Sequence, residues 1–189
     1  PPAATSSTVV GTIIAIALHR YRFIGQKVVY GSLSVIMLSP EIIQGISLVM
    51  IFVILGVPLG FTTLLLSHTV FCFPFVTITV LARLKGVNRN LAESGADLGA
   101  SDVDIVRFIL IPLILPAVFA GWLMSFTLSI DDVIISFFVS GKEYEILPMK
   151  IYSMVRTGIQ PDVNALCAAL FFATFFVVMI SYRLVRAKR

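Results

Sequence analysis

The sequence predicts an all-α membrane protein, a polytopic helical bundle, on three observations. Hydrophobic residues make up 58% of the 189 and charged residues only 13%. The mean hydropathy is +1.01. Several apolar stretches approach or exceed the roughly 20 residues that a bilayer crossing takes. That composition excludes a water-soluble domain of this size. The formal net charge of +4 comes from 14 Lys and Arg against 10 Asp and Glu. Because the bases flank apolar runs, with no basic surface interleaved with aromatics, nucleic acid is not an expected partner. Cys72 and Cys167 both fall in apolar stretches and read as small buried hydrophobes, not as a disulfide.

The first span is expected at Ala3–Leu18, which is short and opens on Thr5-Ser6-Ser7-Thr8. With a start at Pro1-Pro2, it reads as part of a processed or shortened chain. Between Lys27 and Arg83 the chain should cross twice, divided at Gly56-Val57-Pro58-Leu59-Gly60 into Val28–Leu55 and Phe61–Ala82. Val28–Leu55 as one straight helix would measure about 42 Å, longer than a hydrocarbon core of about 30 Å. It must therefore tilt or break. Pro40 lacks a backbone donor and Glu41 is the one acid in the stretch, which places the break at Ser39-Pro40-Glu41 and makes Glu41 a candidate cavity-lining group. Pro74 is expected to interrupt the following span in the same way. His68, with no second ligand type at a metal-binding spacing, is expected to be a packed or hydrogen-bonded histidine. A fourth span is expected at about Phe108–Ile130 and a fifth at about Ala165–Val185.

Eleven of the 14 bases fall into three blocks, around Arg20–Lys27, Arg83–Arg107 and Arg183–Arg189. The positive-inside rule puts those blocks in the cytoplasm, with five spans, the N-terminus outside and the C-terminus inside. Residues 131–164 then form an outer segment, and residues 84–107 a cytoplasmic loop, of a single domain covering 1–189.

The loop reads as two short helices joined by a turn. Leu91, Gly95 and Leu98 share a face by their spacing, and Glu93 and Asp97 lie on another. Gly99 suits the left-handed residue that ends a helix. Ser101 and Asp104 make a capping box that starts the next helix, expected to run to Pro112. The small residues Ala92, Ser94, Gly95, Ala96 and Ala100 permit close approach of a soluble partner.

Glu93-Ser94-Gly95, then Gly99, then Ile109-Leu110-Ile111-Pro112 resembles the EAA motif of ABC-importer permeases, with the family's spacing throughout. Ser94 and Gly95 stand where the motif has alanines, and Ile111 where it has leucine. Gly95 lowers helix propensity by up to about 1 kcal/mol relative to Ala. The run from Trp122 through Ser129-Ile130-Asp131-Asp132 to Tyr144–Met154, together with His19–Phe23 and Ser39-Pro40-Glu41, is similar to the spermidine/putrescine permeases of the PotC type.

That resemblance implies a MetI-like permease fold with six spans in the family, the first missing here, in the bacterial cytoplasmic (inner) membrane. It implies that Glu93, Ser94, Gly95, Asp97, Gly99 and Ala100 couple to an ATPase subunit. The chain has no Walker A loop of its own, so no cofactor is expected on it, and ATP and Mg would be used by that partner. A second permease subunit, an extracytoplasmic polyamine-binding protein and membrane lipid are the other implied partners.

The outer segment carries Asp131, Asp132, Glu143, Glu145 and Asp162 against Lys142, Lys150 and Arg156. An acidic mouth concentrates polycations, and Trp122, Tyr144 or Tyr152 can hold an ammonium over an aromatic face. Glu41, Trp122, Asp131, Asp132 and Tyr152 are therefore the expected substrate path. The rival within transport is the same machine for ferric iron, sulfate or a phosphonate, the last two being disfavoured by an acidic mouth. An intramembrane hydrolase is disfavoured too: there is no Gly-x-Ser-x-Gly elbow, His68 lies far along the chain from Ser129, and an aspartyl pair at a membrane edge would be wetted. A passive channel leaves the cytoplasmic loop unexplained.

Overall fold

The computed structural model describes residues 2–141, 144, 147–157, 164, 165, 167–169, 171, 172 and 175, and the regular elements among them are helices. They fall into two units, Pro1–Tyr144 and Glu145–Arg189. The first contains α1 (Pro2–Arg20), α2 (Gln26–Leu38), α3 (Glu41–Ile54), α4 (Phe61–Lys85), α5 (Arg89–Asp97), α6 (Asp102–Asp104), a π turn (Ile105–Leu110), α7 (Ile111–Asp131) and α8 (Ile134–Val139). From the second unit, α9 (Leu147–Thr157) is described. α6, the π turn and α7 run on as one helix of 30 residues, 102–131.

α1, α4 and helix 102–131 are each long and apolar enough to cross a membrane, matching the first, third and fourth expected spans. α2 and α3 meet that test as a pair, bent by 113° at the expected Ser39-Pro40 break. Most of the fifth expected span, Ala165–Val185, lies outside the described residues. Cys72 is buried, whereas Cys167 is exposed, against the burial its apolar neighbours imply.

α1 packs along both α4 and α7. Its contacting stripe is made of small residues: Ala4, Ser7, Gly11 and Ala15 are all buried. In lipid, helices gain little from burying apolar surface against one another, so close backbone approach and interhelical hydrogen bonds carry the association. Val76 of α4 has no exposed surface. A methyl group added at Gly11 would come within 2.8 Å of both Val76 Cβ and the Phe73 carbonyl, and one added at Gly121 of α7 within 3.1 Å of Val76 Cγ1. Three helices thus converge on one side chain.

Hydroxyls tie the same helices together. Ser7 Oγ lies 2.6 Å from Ser125 Oγ, and Ser6 Oγ lies 2.6 Å from Thr69 Oγ1. Toward the other end of α1 the packing turns wholly apolar, with Leu18, Leu33, Val80, Leu84, Ile105 and Ile114 in one buried cluster.

Two expectations about prolines are corrected. α4 runs unbroken through Pro74, which is buried. A missing N–H costs one bond, and packing on neighbouring helices holds the rest of the turn. The second loop helix does not end at Pro112 but continues to Asp131. The π turn at Ile105–Leu110 widens the helix immediately before Pro112, which relieves the contact of its ring with the carbonyl four residues back.

Gly11→Val is expected to destabilise the α1–α4 contact by about 1–3 kcal/mol, because the nearest obstacle is backbone and cannot move aside. Thermal unfolding in detergent should show a lowered midpoint, whereas Gly31→Ala, with open space around it, should not.

Candidate functional site

Helix 102–131 has a functional candidate at each end. At its start stands the predicted helix–turn–helix. Asn88 Oδ1 accepts from the Asn90 N–H at 3.1 Å and opens α5. Gly99 takes φ +85°, which reverses the chain, and the N–H groups of Gly99 and Ala100 donate to Ala96 and Gly95 carbonyls at 2.9 and 3.0 Å. The Ser101–Asp104 capping box is formed in both directions, each bond at 3.2 Å.

Glu93, Ser94, Asp97 and Gly99 are exposed and available to a partner. Gly95 is buried and Ala100 half-buried. The reason for glycine at 95 is on the inner side: a Cβ there would sit 2.8 Å from Ile109 Cδ1 and 3.4 Å from Ile105 Cγ1. The face assigned to Leu91, Gly95 and Leu98 divides, since Leu91 and Leu98 point outward and Leu98 is 88% exposed. α5 stops before Leu98, so helical periodicity no longer applies to it.

α1 reaches this loop. Arg20 bridges to Asp102, and the Tyr21 hydroxyl donates to Asp102 Oδ2 at 3.4 Å. A cleft of about 280 Å³ beside it is lined by His19, Arg20, Arg22, Asn88, Ala92 and Glu93, among others.

At the far end, Asp131 closes α7 and is exposed, whereas Asp132 is only 5% exposed. Its carboxylate accepts from the Ile135 N–H at 3.1 Å, the Ser136 N–H at 2.9 Å and the Ser136 hydroxyl at 2.9 Å, so it caps the first turn of α8. Ser136 thereby uses its single hydrogen. His68 Nε2, 2.8 Å from Ser136 Oγ, must then be the donor in that contact. His68 Nδ1 lies 3.0 Å from Ser129 Oγ. The expected hydrogen-bonded His68 is present, but Asp132 is not the wetted mouth residue that its position beside Asp131 implied. The first turn of α8 and His68 of α4 enclose the carboxylate.

Glu41, exposed in the first turn of α3 just past the bend, lies within electrostatic range of Asp131 and Asp132. Three of the expected path residues thus lie within electrostatic range of one another. Trp122 stacks between Phe119 and Phe126, with centroids at 6.2 and 5.4 Å and planes within 14°, and its indole donates to Thr5 Oγ1 at 3.3 Å. Tyr144 is near Phe61, centroids 6.3 Å apart. Tyr152, on α9 of the second unit, is exposed. Lys142, Glu143, Glu145 and Asp162 lie outside the described residues. Among the described residues no cluster of three His, Cys, Asp or Glu is arranged to hold a metal ion.

Residues 7–188 match the family described as Binding-protein-dependent transport system inner membrane component. The chain is 51% identical over 185 residues to the spermidine/putrescine transport system permease protein PotC of Escherichia coli K12, covering 98% of this chain and 70% of that one. It is 50% identical over 184 residues to PotC of Haemophilus influenzae, covering 97% and 72%. Against the putrescine transport system permease protein PotI of Escherichia coli K12 it is 36% identical over 195 residues, covering 99% and 69%. Two solved structures share the fold. One is the MetNI methionine ABC transporter in inward-facing form, with TM-score 0.73, 22% identity and coverage of 98% and 88%. The other is an amino acid ABC transporter with histidines, with TM-score 0.66, 19% identity and coverage of 100% and 87%.

Gly99→Val forces a branched side chain into the left-handed region at a cost of about 1–2 kcal/mol. Amide hydrogen exchange in α5 should accelerate about tenfold, while α4 amides stay protected.

Proposed function

This chain belongs to the binding-protein-dependent transport system inner membrane components, and we propose that it is the polyamine-translocating permease subunit of an ATP-driven importer. Its substrates would be spermidine and putrescine. The observation that carries this reading is 51% identity, over 98% of the chain, to a spermidine/putrescine permease.

In this reading the α5–α6 end is cytoplasmic, as is the C-terminus, and the Asp131 end faces the outer side of the bacterial cytoplasmic membrane. A partner ATPase subunit binds and hydrolyses ATP with Mg, a second permease subunit completes the path, and an extracytoplasmic binding protein delivers the polyamine. Glu93, Ser94 and Asp97, with the outward-facing Leu91 and Leu98, supply the ATPase contact. Gly95 and Ala100 act inwardly, seating α5 on Ile105 and Ile109 so that movement of the loop is passed to helix 102–131. That helix is about 45 Å long and carries the displacement to Asp131.

A polyamine is an extended polycation. Asp131 and Glu41, exposed and within range of one another, provide the anionic potential that draws it in. The same field repels sulfate or a phosphonate. The order Ser129, His68, Asp132 has the groups of a hydrolase triad, although these residues are far apart in sequence. Ser129 lies inside α7, without the strained turn that presents a nucleophile, and the family is one of transport components.

The test is labelled spermidine uptake in transport-deficient cells holding the partner subunits. Saturable uptake that putrescine inhibits is expected; no uptake would direct the search to another solute. Asp131→Asn should raise KM by about tenfold while the complex still assembles, and unchanged kinetics would remove Asp131 from the path. Glu93→Lys should instead abolish uptake through loss of ATPase co-purification, and full recovery of the ATPase would count against the docking role.

A further inference from the structure

We propose that Asp132 and His68 do not contact the transported cation but form a positioning unit, which holds the α7–α8 break against α4 and so fixes where Asp131 stands at the end of α7. The proposal rests on the importer reading and divides the acidic pair into two roles.

The assignment comes from counting donors and acceptors. A carboxylate offers about four acceptor sites. Three of Asp132's are taken, by two α8 backbone N–H groups and the Ser136 hydroxyl, all within 3.1 Å. The remaining approach is toward His68 Nε2, 3.6 Å from Oδ2. With 2% of its side chain exposed and three of its acceptor sites filled from α8, Asp132 has no surface to offer an arriving ammonium. Asp131, one residue earlier, is exposed.

His68 is the other half of the unit. Its Nε2–H secures the Ser136 oxygen, which points the Ser136 hydrogen at Asp132, and its Nδ1 meets Ser129 on the α7 side of the break. One α4 side chain therefore holds both flanks of the break. The neighbouring contact of Thr63 Oγ1 with the Val139 carbonyl, at 2.7 Å, pins the far end of α8 to the same helix. The break itself leaves Asp132 and Val133 outside helical structure. Without these contacts α8 has no polar anchor on α4 near its start.

The experiment compares His68→Leu, His68→Gln, Ser136→Ala and Asp131→Asn in the assembled transporter, by uptake kinetics and by labelling. His68→Leu and Ser136→Ala should lower the maximal rate by about tenfold or more with KM within about twofold, whereas Asp131→Asn should raise KM. His68→Gln, which keeps a donor toward Ser136, should restore most of the rate. A raised KM in His68→Leu and Ser136→Ala, an unchanged rate in both, or equal losses in His68→Gln and His68→Leu would each overturn the proposal. Placement of residue 131 is read without any solute, by reacting Asp131→Cys in a Cys167→Ser chain with a membrane-impermeant maleimide. His68→Leu should change that labelling rate by about fivefold or more and His68→Gln should not. Equal rates in all backgrounds would sink the positioning role even where the wild-type complex imports no polyamine, a result that would sink only the substrate reading.

Discussion

The structure depends on how closely α1, α4 and helix 102–131 approach one another. Val76 is the point of closest convergence, with Gly11 on one side and Gly121 on the other, and neither glycine can gain a methyl group without meeting it or the Phe73 carbonyl. Since lipid offers no large reward for hiding leucine, the association must come from contacts at full van der Waals density. Small residues at 4, 7, 11 and 15 of α1 make that density possible and also bring Ser6 and Ser7 within hydrogen-bonding reach of Thr69 and Ser125. Alignment of these helices then sets what their ends can do.

At both ends the same rule operates, that the backbone groups left open where a helix starts or stops must find partners. The turn between α5 and α6 meets it locally, through Gly99, the Ser101–Asp104 box and the Asn88 cap. The α7–α8 break meets it at long range, through a histidine 64 residues before Asp132 in the chain. The Arg20–Asp102 bridge is of another kind. Its acid is 64% exposed, so it adds little stability, on the order of 0–1 kcal/mol, but it registers the end of α1 against the first turn of helix 102–131.

This difference in range explains how much was legible in the sequence. The apolar spans, the bend at Ser39-Pro40 and the helix–turn–helix were readable because length, a missing donor, a left-handed glycine and a capping box are local signals. The residues expected to meet a partner were only half readable. Composition marks Ser94, Gly95 and Ala100 alike as small, and only the fold shows Gly95 turned inward onto Ile109. Pro74 and Pro112 misled because a proline removes one bond wherever it stands, and whether the helix breaks is decided by neighbours and by the π turn. Asp132 and His68 each looked ordinary alone. A lone histidine in one apolar span and an acid at the end of another was the available clue, and pairing them required the topology.

Gly95 shows how closely the loop seats on the long helix. A Cβ there would come under 3 Å only to the Cδ1 tip of Ile109, which a rotamer change can move, so the site calls for a small residue to seat α5 on Ile105 and Ile109. The helix-propensity cost of glycine, up to about 1 kcal/mol, is set against this close seating of α5 on the long helix. The π turn lies within that contact, so the segment receiving the loop is also the one whose hydrogen bonding is least regular. A displacement at the loop can be taken up there as rotation or passed on as translation. The three-helix packing around Val76 opposes both, which leaves the π turn as the segment best able to absorb a movement of the loop.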